Sequence, residues 1–179
     1  VAAVRWYRLA AEQGYADAQS NLGTRYVKGQ GVPGGDKEAE RWWKPFANQG
    51  NAFAQTMLGV MSGKGQGVLP DDEIAVTWYT LATEQGIAKS QSNLGVMYAK
   101  GQGVPQDYKT AVKWYKLAAK QGDVTAQLNL GLMYGKGQGV RKDNTIAVKW
   151  YRLAAEQGNA NAQLNLGLMY GKGQGVRKD

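Results

Sequence analysis

A period of 36 residues runs through this chain and constrains its fold more than any single motif does. The block Asn93-Leu94-Gly95-Val96-Met97-Tyr98 returns as Asn129-Leu130-Gly131-Leu132-Met133-Tyr134 and again as Asn165-Leu166-Gly167-Leu168-Met169-Tyr170. Between these blocks stand Trp114-Tyr115-Lys116-Leu117-Ala118-Ala119 and Trp150-Tyr151-Arg152-Leu153-Ala154-Ala155. Self-similarity at a fixed spacing of about 20–50 residues is the signature of a stacked array in which each unit packs on its neighbours. Function in such an array is sought on a surface spread over several repeats before it is sought in a pocket. Aligning the copies gives one solenoid over 1–179, with full units at 15–50, 51–86, 87–122 and 123–158 and half units at 1–14 and 159–179.

Within a unit, Ala88, Ser90, Leu94, Gly95 and Tyr98 recur at helical spacing, which predicts a first amphipathic helix, helix A. Asn51, Asp123 and Asn159 precede it as N-caps, and it stops at a repeated Gly-Gln-Gly-Val whose first Gly suits a left-handed helix end. Helix B then starts near Asp71, Asp107 and Asp143, carries Ala75, Trp78, Tyr79 and Ala82 or their equivalents, and ends at Gln-Gly. Gly23, Gly59, Gly95, Gly131 and Gly167 leave room on helix A for a close neighbour, and Trp6, Trp42, Trp78, Trp114 and Trp150 are expected to fill the space between layers. The fold class is therefore all-α, and one hairpin buries its apolar stripe only by stacking on the next.

Ala-x-x-x-Leu-Gly-x-x-Tyr, then Gly-x-Gly-Val, Asp and Ala-x-x-Trp-Tyr-x-x-Ala-Ala-x-x-Gly resembles the Sel-one-like repeat (SLR), over essentially all of residues 1–179. That family is related to the tetratricopeptide repeat. The resemblance implies a right-handed α/α solenoid superhelix used as a protein-interaction scaffold, often bacterial and envelope-associated or secreted. Periplasmic or secreted placement is thus the expectation, although no charged-then-apolar leader opens the chain. Val1 falls in mid-repeat, so the natural protein is expected to extend upstream. Members with a Cys pair in every repeat are not a match.

Composition narrows the chemistry further. The chain has no Cys and no His, which removes disulfides, thiolate and imidazole chemistry and the metal sites built from them. No apolar run of about 18 residues is present to span a membrane. The net charge of +8, from 22 Lys and Arg against 14 Asp and Glu, is spread evenly. It reads as a basic solvated surface, with an acidic partner as the sharper alternative and nucleic acid disfavoured. Trp114 with Lys113 and Lys116 could suggest base stacking, but the strict period points to core. Gly29-Gln30-Gly31-Val32-Pro33-Gly34 matches a dinucleotide fingerprint in letters only, because it follows a helix rather than a strand. The acidic run Asp71-Asp72-Glu73 reads as a cap and a helix first turn. No nucleophile–base constellation exists, so neither catalysis nor a cofactor is expected.

A second stripe on helix A carries the candidate site. It reads Lys89, Asn93, Val96 and Lys100, then Thr125, Asn129, Leu132 and Lys136, then Asn161, Asn165, Leu168 and Lys172. Helix A lines the concave surface in tetratricopeptide relatives, and the resemblance implies the same here. Asn can hydrogen-bond a peptide backbone, the aliphatic row can take apolar side chains, and Lys can meet carboxylates. Each row also has an architectural reading. Asn can bond a neighbouring helix, and Lys at a helix C-terminus offsets the dipole by about 0.3–1 kcal/mol.

The irregular repeats add further candidates. In the second unit the stripe is Phe53, Met57, Val60 and Lys64, while Ser62 replaces the expected Tyr. This apolar break suggests an interaction hot spot, or else Phe53 and Met57 fill the space of the missing Tyr. In the first unit Pro45 falls inside helix B, which predicts a bend near Lys44 that re-aims Trp43 toward a partner, with Phe46 replacing the volume of the absent Leu. The leading expectation is a noncatalytic scaffold for a protein or peptide. The second is a self-assembling module, because the half units at the two ends could complete one another head to tail with one position missing.

Overall fold

The structure, a computed structural model, describes residues 2–27 and 35–175, the side chain of Val27 aside. The dinucleotide-like glycines at 29–34 and Lys28 lie outside the described residues. The described residues form ten helices and no strand. In chain order they are α1 Ala2–Glu12, α2 Ala16–Val27, α3 Asp36–Asn48, α4 Ala52–Lys64, α5 Asp72–Glu84, α6 Ala88–Lys100, α7 Tyr108–Lys120, α8 Val124–Lys136, α9 Asn144–Glu156 and α10 Ala160–Gly171. Odd-numbered helices up to α5 and then α7 and α9 are B helices; α2, α4, α6, α8 and α10 are A helices. Two compact units, Val1–Gly86 and Ile87–Asp179, divide the chain at a junction between repeats.

The caps are set by the residues that the sequence marks. The side-chain oxygens of Asn51, Asp123 and Asn159 accept from the backbone N–H groups of Ala54, Ala126 and Ala162, and those of Asp71 and Asp143 accept from Ile74 and Ile146. Asp107 accepts from the Thr110 hydroxyl and from the N–H groups of Thr110 and Lys109, and these bonds, the hydroxyl's foremost, hold its carboxyl below the usual range. α3 and α6 differ: Gly35 has no side chain to cap with, and Ile87 has the same extended cap conformation as Asp123 but supplies no acceptor. At the other end of α8, Gly137 is left-handed, with φ 72°. Gly139 follows at φ 69°, and there a Cβ would overlap the backbone of Tyr108 at the start of the preceding B helix. The second Gly of the loop thus permits contact between repeats as well as the reversal.

Each unit builds its core from paired helices. Val1–Gly86 buries Leu22, Tyr26, Trp43, Leu58 and Met61 among small alanines, and Ile87–Asp179 buries Tyr115, Leu130 and Met133 likewise. The contact that sets the helix spacing is a glycine against an aromatic ring. An added Cβ at Gly95 would stand 2.7 Å from two ring carbons of Tyr115 and 3.3 Å from the Ala111 carbonyl oxygen. Gly59 meets Tyr79, Gly131 meets Tyr151, and Gly23 meets Trp43 in the same way. The bulk between layers is therefore the residue after the repeated Trp. Trp42, Trp78, Trp114 and Trp150 are only half-buried, and Trp6 is exposed.

Pro45 does not end α3, which continues to Asn48. Its equivalents Leu81, Leu117 and Leu153 are about 40% exposed, at 38%, 39% and 43%. Pro45 is itself exposed, so its ring lies on the outside, the side of a helix on which a carbonyl that loses its bond is most easily hydrated. The expected re-aiming of Trp43 is overturned as well, because Trp43 occupies the same core place as Tyr79 and Tyr115. Phe46 replaces no core Leu; it packs edge-on against Trp42 at 5.6 Å.

Two predictions follow from the glycine–ring contact. Gly95→Ala should lower stability, because overpacking costs about 1–3 kcal/mol and outweighs the gain of up to about 1 kcal/mol from replacing a helical Gly. Gly135→Ala in α8, whose added Cβ would find its nearest neighbours at 3.8 Å, should instead gain stability. Urea melts of both variants check this, and equal shifts would refute it. Burial also raises the phenol pKa of Tyr115 and of Tyr151 above the ordinary 10.0. The native state thus favours the neutral phenol, and this contribution is complete below about pH 10 and lost as pH rises above it. Stability measured from pH 8 to 11.5 should fall beyond pH 10, and less steeply in Tyr115→Phe.

Candidate interaction surface

The A helices are held at their inner edge by a relay of buried glutamines. Gln127, 4% exposed, donates from Nε2 to the Ala119 carbonyl of the B helix before it, at 3.4 Å. Its Oε1 accepts from Gln157 Nε2 of the B helix after it, at 2.8 Å, and Gln157 also reaches the Gly122 carbonyl. In the first unit Gln55 does the same between Ala47 and Gln85, and Gln19 between Ala11 and Asn51. The accepting carbonyls belong to the last turns of B helices, where each also accepts from the N–H of the Gly that follows the helix, so the glutamine fills the second acceptor site. Sequence reasoning missed this network, although the signal was present: Ala-Gln on helix A and Gln-Gly at the end of helix B repeat with the period.

Two residues further along each A helix, the amides behave differently. Asn93, Asn129 and Asn165 are half-buried, and among the described residues no hydrogen bond holds their side chains. The reading in which these amides fix the repeat geometry is therefore not met; glutamine has that role. One helical turn on, Val96 and Leu132 are half-buried and Leu168 is half-exposed. Lys100 and Lys136 stand exposed in the last turns of α6 and α8, and neither meets a carboxylate among the described residues. Since α6 and α8 touch, these three rows are continuous across them.

In α4 the stripe is apolar and its members differ. Phe53 is 38% exposed and leans edge-on against Trp43 at 6.2 Å. Met57 packs on the core, Val60 is half-buried, and Lys64 is exposed. Trp43, with 0% exposure, presents no surface to a partner and leaves the set of contact residues. A further basic face lies on α7: Lys109, Lys113, Lys116 and Lys120 share it, and none of the four forms a salt bridge among the described residues. The Lys113 and Lys116 ammonium groups sit 5.4 Å and 5.6 Å from the ring centroids of Trp114 and Tyr134. The same search of the described residues finds no group of side chains fit to hold a metal ion and no helix long and apolar enough to cross a membrane.

These paired helices, period and surface are those of a known family. The Sel1 repeat pattern matches residues 1–15, 16–51, 52–87, 88–123, 124–159 and 160–179. The chain belongs to the Sel1 repeat family. A protective antigen of uropathogenic Escherichia coli strains, described as displaying an SLR fold, is 41% identical with a TM-score of 0.91 over 97% of this chain and 37% of its own. A Sel1 repeat protein from Oxalobacter formigenes is 40% identical with a TM-score of 0.84 over 93% of this chain and 69% of its own. A Klebsiella pneumoniae relative, 24% identical at a TM-score of 0.67 over 96% of this chain and 82% of its own, shares the fold. This Sel1 repeat chain thus spans little more than a third of the E. coli antigen. No curated protein matches it. Sel1 repeat proteins generally mediate protein–protein interactions, and the family is generally a noncatalytic scaffold.

The glutamine relay carries its own prediction. Gln127→Leu should cost about 1–3 kcal/mol, since it removes two hydrogen bonds, one to the buried Ala119 carbonyl and one from the Gln157 amide. Asn129→Ala, two residues away, should change stability by less than about 0.5 kcal/mol. Denaturant melts of the two variants measure the contrast, and equal losses would refute the division of labour between the two amides.

Proposed function

We propose that this Sel1 repeat chain is a noncatalytic scaffold that binds a protein or peptide along the outer face of its A helices, the concave side in tetratricopeptide relatives. The observation that carries the reading is the row of unbonded amides at Asn93 and Asn129, on two touching helices. Such amides offer both donors and acceptors to an extended backbone lying across the helices. Val96 and Leu132 beside them provide apolar contact, and Lys100 and Lys136 favour carboxylates at one edge. An acidic segment with alternating apolar side chains matches this order of chemistry. In the other unit Phe53, Met57, Val60 and Lys64 supply an apolar version of the same stripe, suited to a more hydrophobic stretch.

The test uses two baits, the wild-type chain and Asn93→Ala/Asn129→Ala/Leu132→Ala, against extracts of the source organism. A partner retained by the wild type should be lost at least about tenfold in the variant, with the melting temperature unchanged within about 2 °C. Its retention should also fall as salt rises, because the Lys edge is exposed. A partner held equally by both baits, or one released only by changes on α7, would overturn the assignment to this face.

A further inference from the structure

The residue three places before the repeated Gly-Gln-Gly-Val is Tyr in every repeat but one: Tyr26, Tyr98, Tyr134 and Tyr170 stand where the second full unit has Ser62. Where the Tyr is present, its surroundings follow a pattern. Tyr26 lies 6.3 Å from the Trp42 ring, and its hydroxyl accepts from Arg8 Nη2 at 2.7 Å. Tyr170 accepts from Arg152 Nη2 at 2.6 Å, and Lys116 lies against the ring of Tyr134. A cation at the phenol thus recurs at Tyr26, Tyr134 and Tyr170, and at Tyr26 an indole lies on its other side.

At Ser62 the ring is missing and its surroundings remain. Trp78 is the equivalent of Trp42, and Lys44 is the equivalent of Arg8, Lys116 and Arg152. Between them lies a cavity of about 110 Å³. Leu58, Val68, Leu69, Ile74 and Trp78 line it with Ser62, and Lys44 and Glu40 supply its charged lining. Phe53 and Met57 do not line it, so the expectation that they replace the missing Tyr is not met. Lys44 contacts Glu40 at 3.4 Å across an exposed pair, which holds the ammonium only weakly in that position.

We propose that this cavity is a binding site for a phenolic ring, which takes the place that Tyr26 and Tyr98 fill in their own repeats. An enclosed apolar cavity of about 150 Å³ is enough to hold benzene. A cavity somewhat smaller and open at one side suits a ring whose polar end stays at the mouth. The ring rests against Trp78 and Leu58, and the hydroxyl accepts from the Lys44 ammonium. The phenol comes either from a small molecule or from a tyrosine side chain of another polypeptide. The site lies within Val1–Gly86 and does not depend on the A-helix stripe as a partner surface.

The experiment titrates the full chain with p-cresol, N-acetyltyrosine amide and toluene and follows backbone and indole N–H shifts by NMR. p-Cresol should bind with a dissociation constant of about 1 mM and shift the signals of Leu58, Ser62 and Trp78. Ser62→Tyr should fill the cavity, raise the melting temperature by about 2–4 °C and reduce p-cresol binding at least tenfold. Lys44→Met should weaken p-cresol at least threefold and leave toluene unchanged. Binding of the tyrosine amide as tightly as p-cresol supports the polypeptide source, and binding of p-cresol alone supports the small-molecule source. No binding of either, equal binding of toluene and p-cresol, or p-cresol binding that survives Ser62→Tyr overturns the proposal.

Discussion

The close seating of an aromatic ring on a glycine is the constraint from which the rest of the repeat follows. Without a Cβ on helix A, the ring edge of helix B reaches the backbone itself, so the two axes come nearer than any larger residue would allow. A ring is rigid and large, and once seated it fixes both spacing and register of the hairpin. Burial then shifts the ionisation of the phenols at Tyr115 and Tyr151, a cost that arises only at high pH. In the first full unit the ring is the indole of Trp43 rather than a phenol. Its Nε1 is buried without an acceptor, and Phe53, which takes the place of Lys89 and Thr125, lies edge-on against it. The apolar residue in the outer stripe and the oversized ring in the core therefore belong together: part of Phe53's role is to cover Trp43.

Hydrogen bonding follows from that geometry. When helices approach so closely, the last carbonyls of helix B are shut off from water and need donors from the protein. A Gln side chain on helix A is long enough to reach back to one B helix while its oxygen accepts from the next. One amide thus joins three successive helices within a unit. An alanine or leucine in its place would remove two hydrogen bonds at once.

Much of this was legible in the primary structure, and the misses have a common cause. The period marks helices, caps and glycine ends because those depend on local chemistry, and Asn51, Asp71, Asp123 and Asp143 cap where their positions imply. Which of two adjacent aromatics faces inward is not a local property. Trp114 and Tyr115 lie about 100° apart around a helix, and both suit an apolar face. Only Gly95, on the other helix, selects Tyr115. Pro45 was misread for the same reason, since the Leu it replaces was taken for core and is half-exposed. The vacancy at Ser62 could be located in sequence, but whether neighbours close it depends on side chains that approach from other helices. In the outer stripe the sequence picked out Asn129, Leu132 and Lys136 as a row, but could not say whether the Asn amides were bonded.

The contrast between Gln127 and Asn129 bears on that stripe. Both are amides on one helix, two residues apart, and both recur with the period. The glutamine is fully engaged by the fold, with donor and acceptor each matched inside the unit. The asparagine has no such bond, yet it stands in mid-helix, where it is a poorer helix former than Ala, Leu or Lys by about 0.5 kcal/mol. Nothing inside the described repeats recovers that cost at Asn93, Asn129 or Asn165. A side chain that the fold does not use, and that slightly weakens the helix carrying it, is what the proposed partner surface would account for. A half-buried amide beside aliphatic side chains is suited to a polar backbone laid over it, and this is the physical reason for placing the partner on the A-helix face rather than on the Leu81, Leu117 and Leu153 side of the B helices.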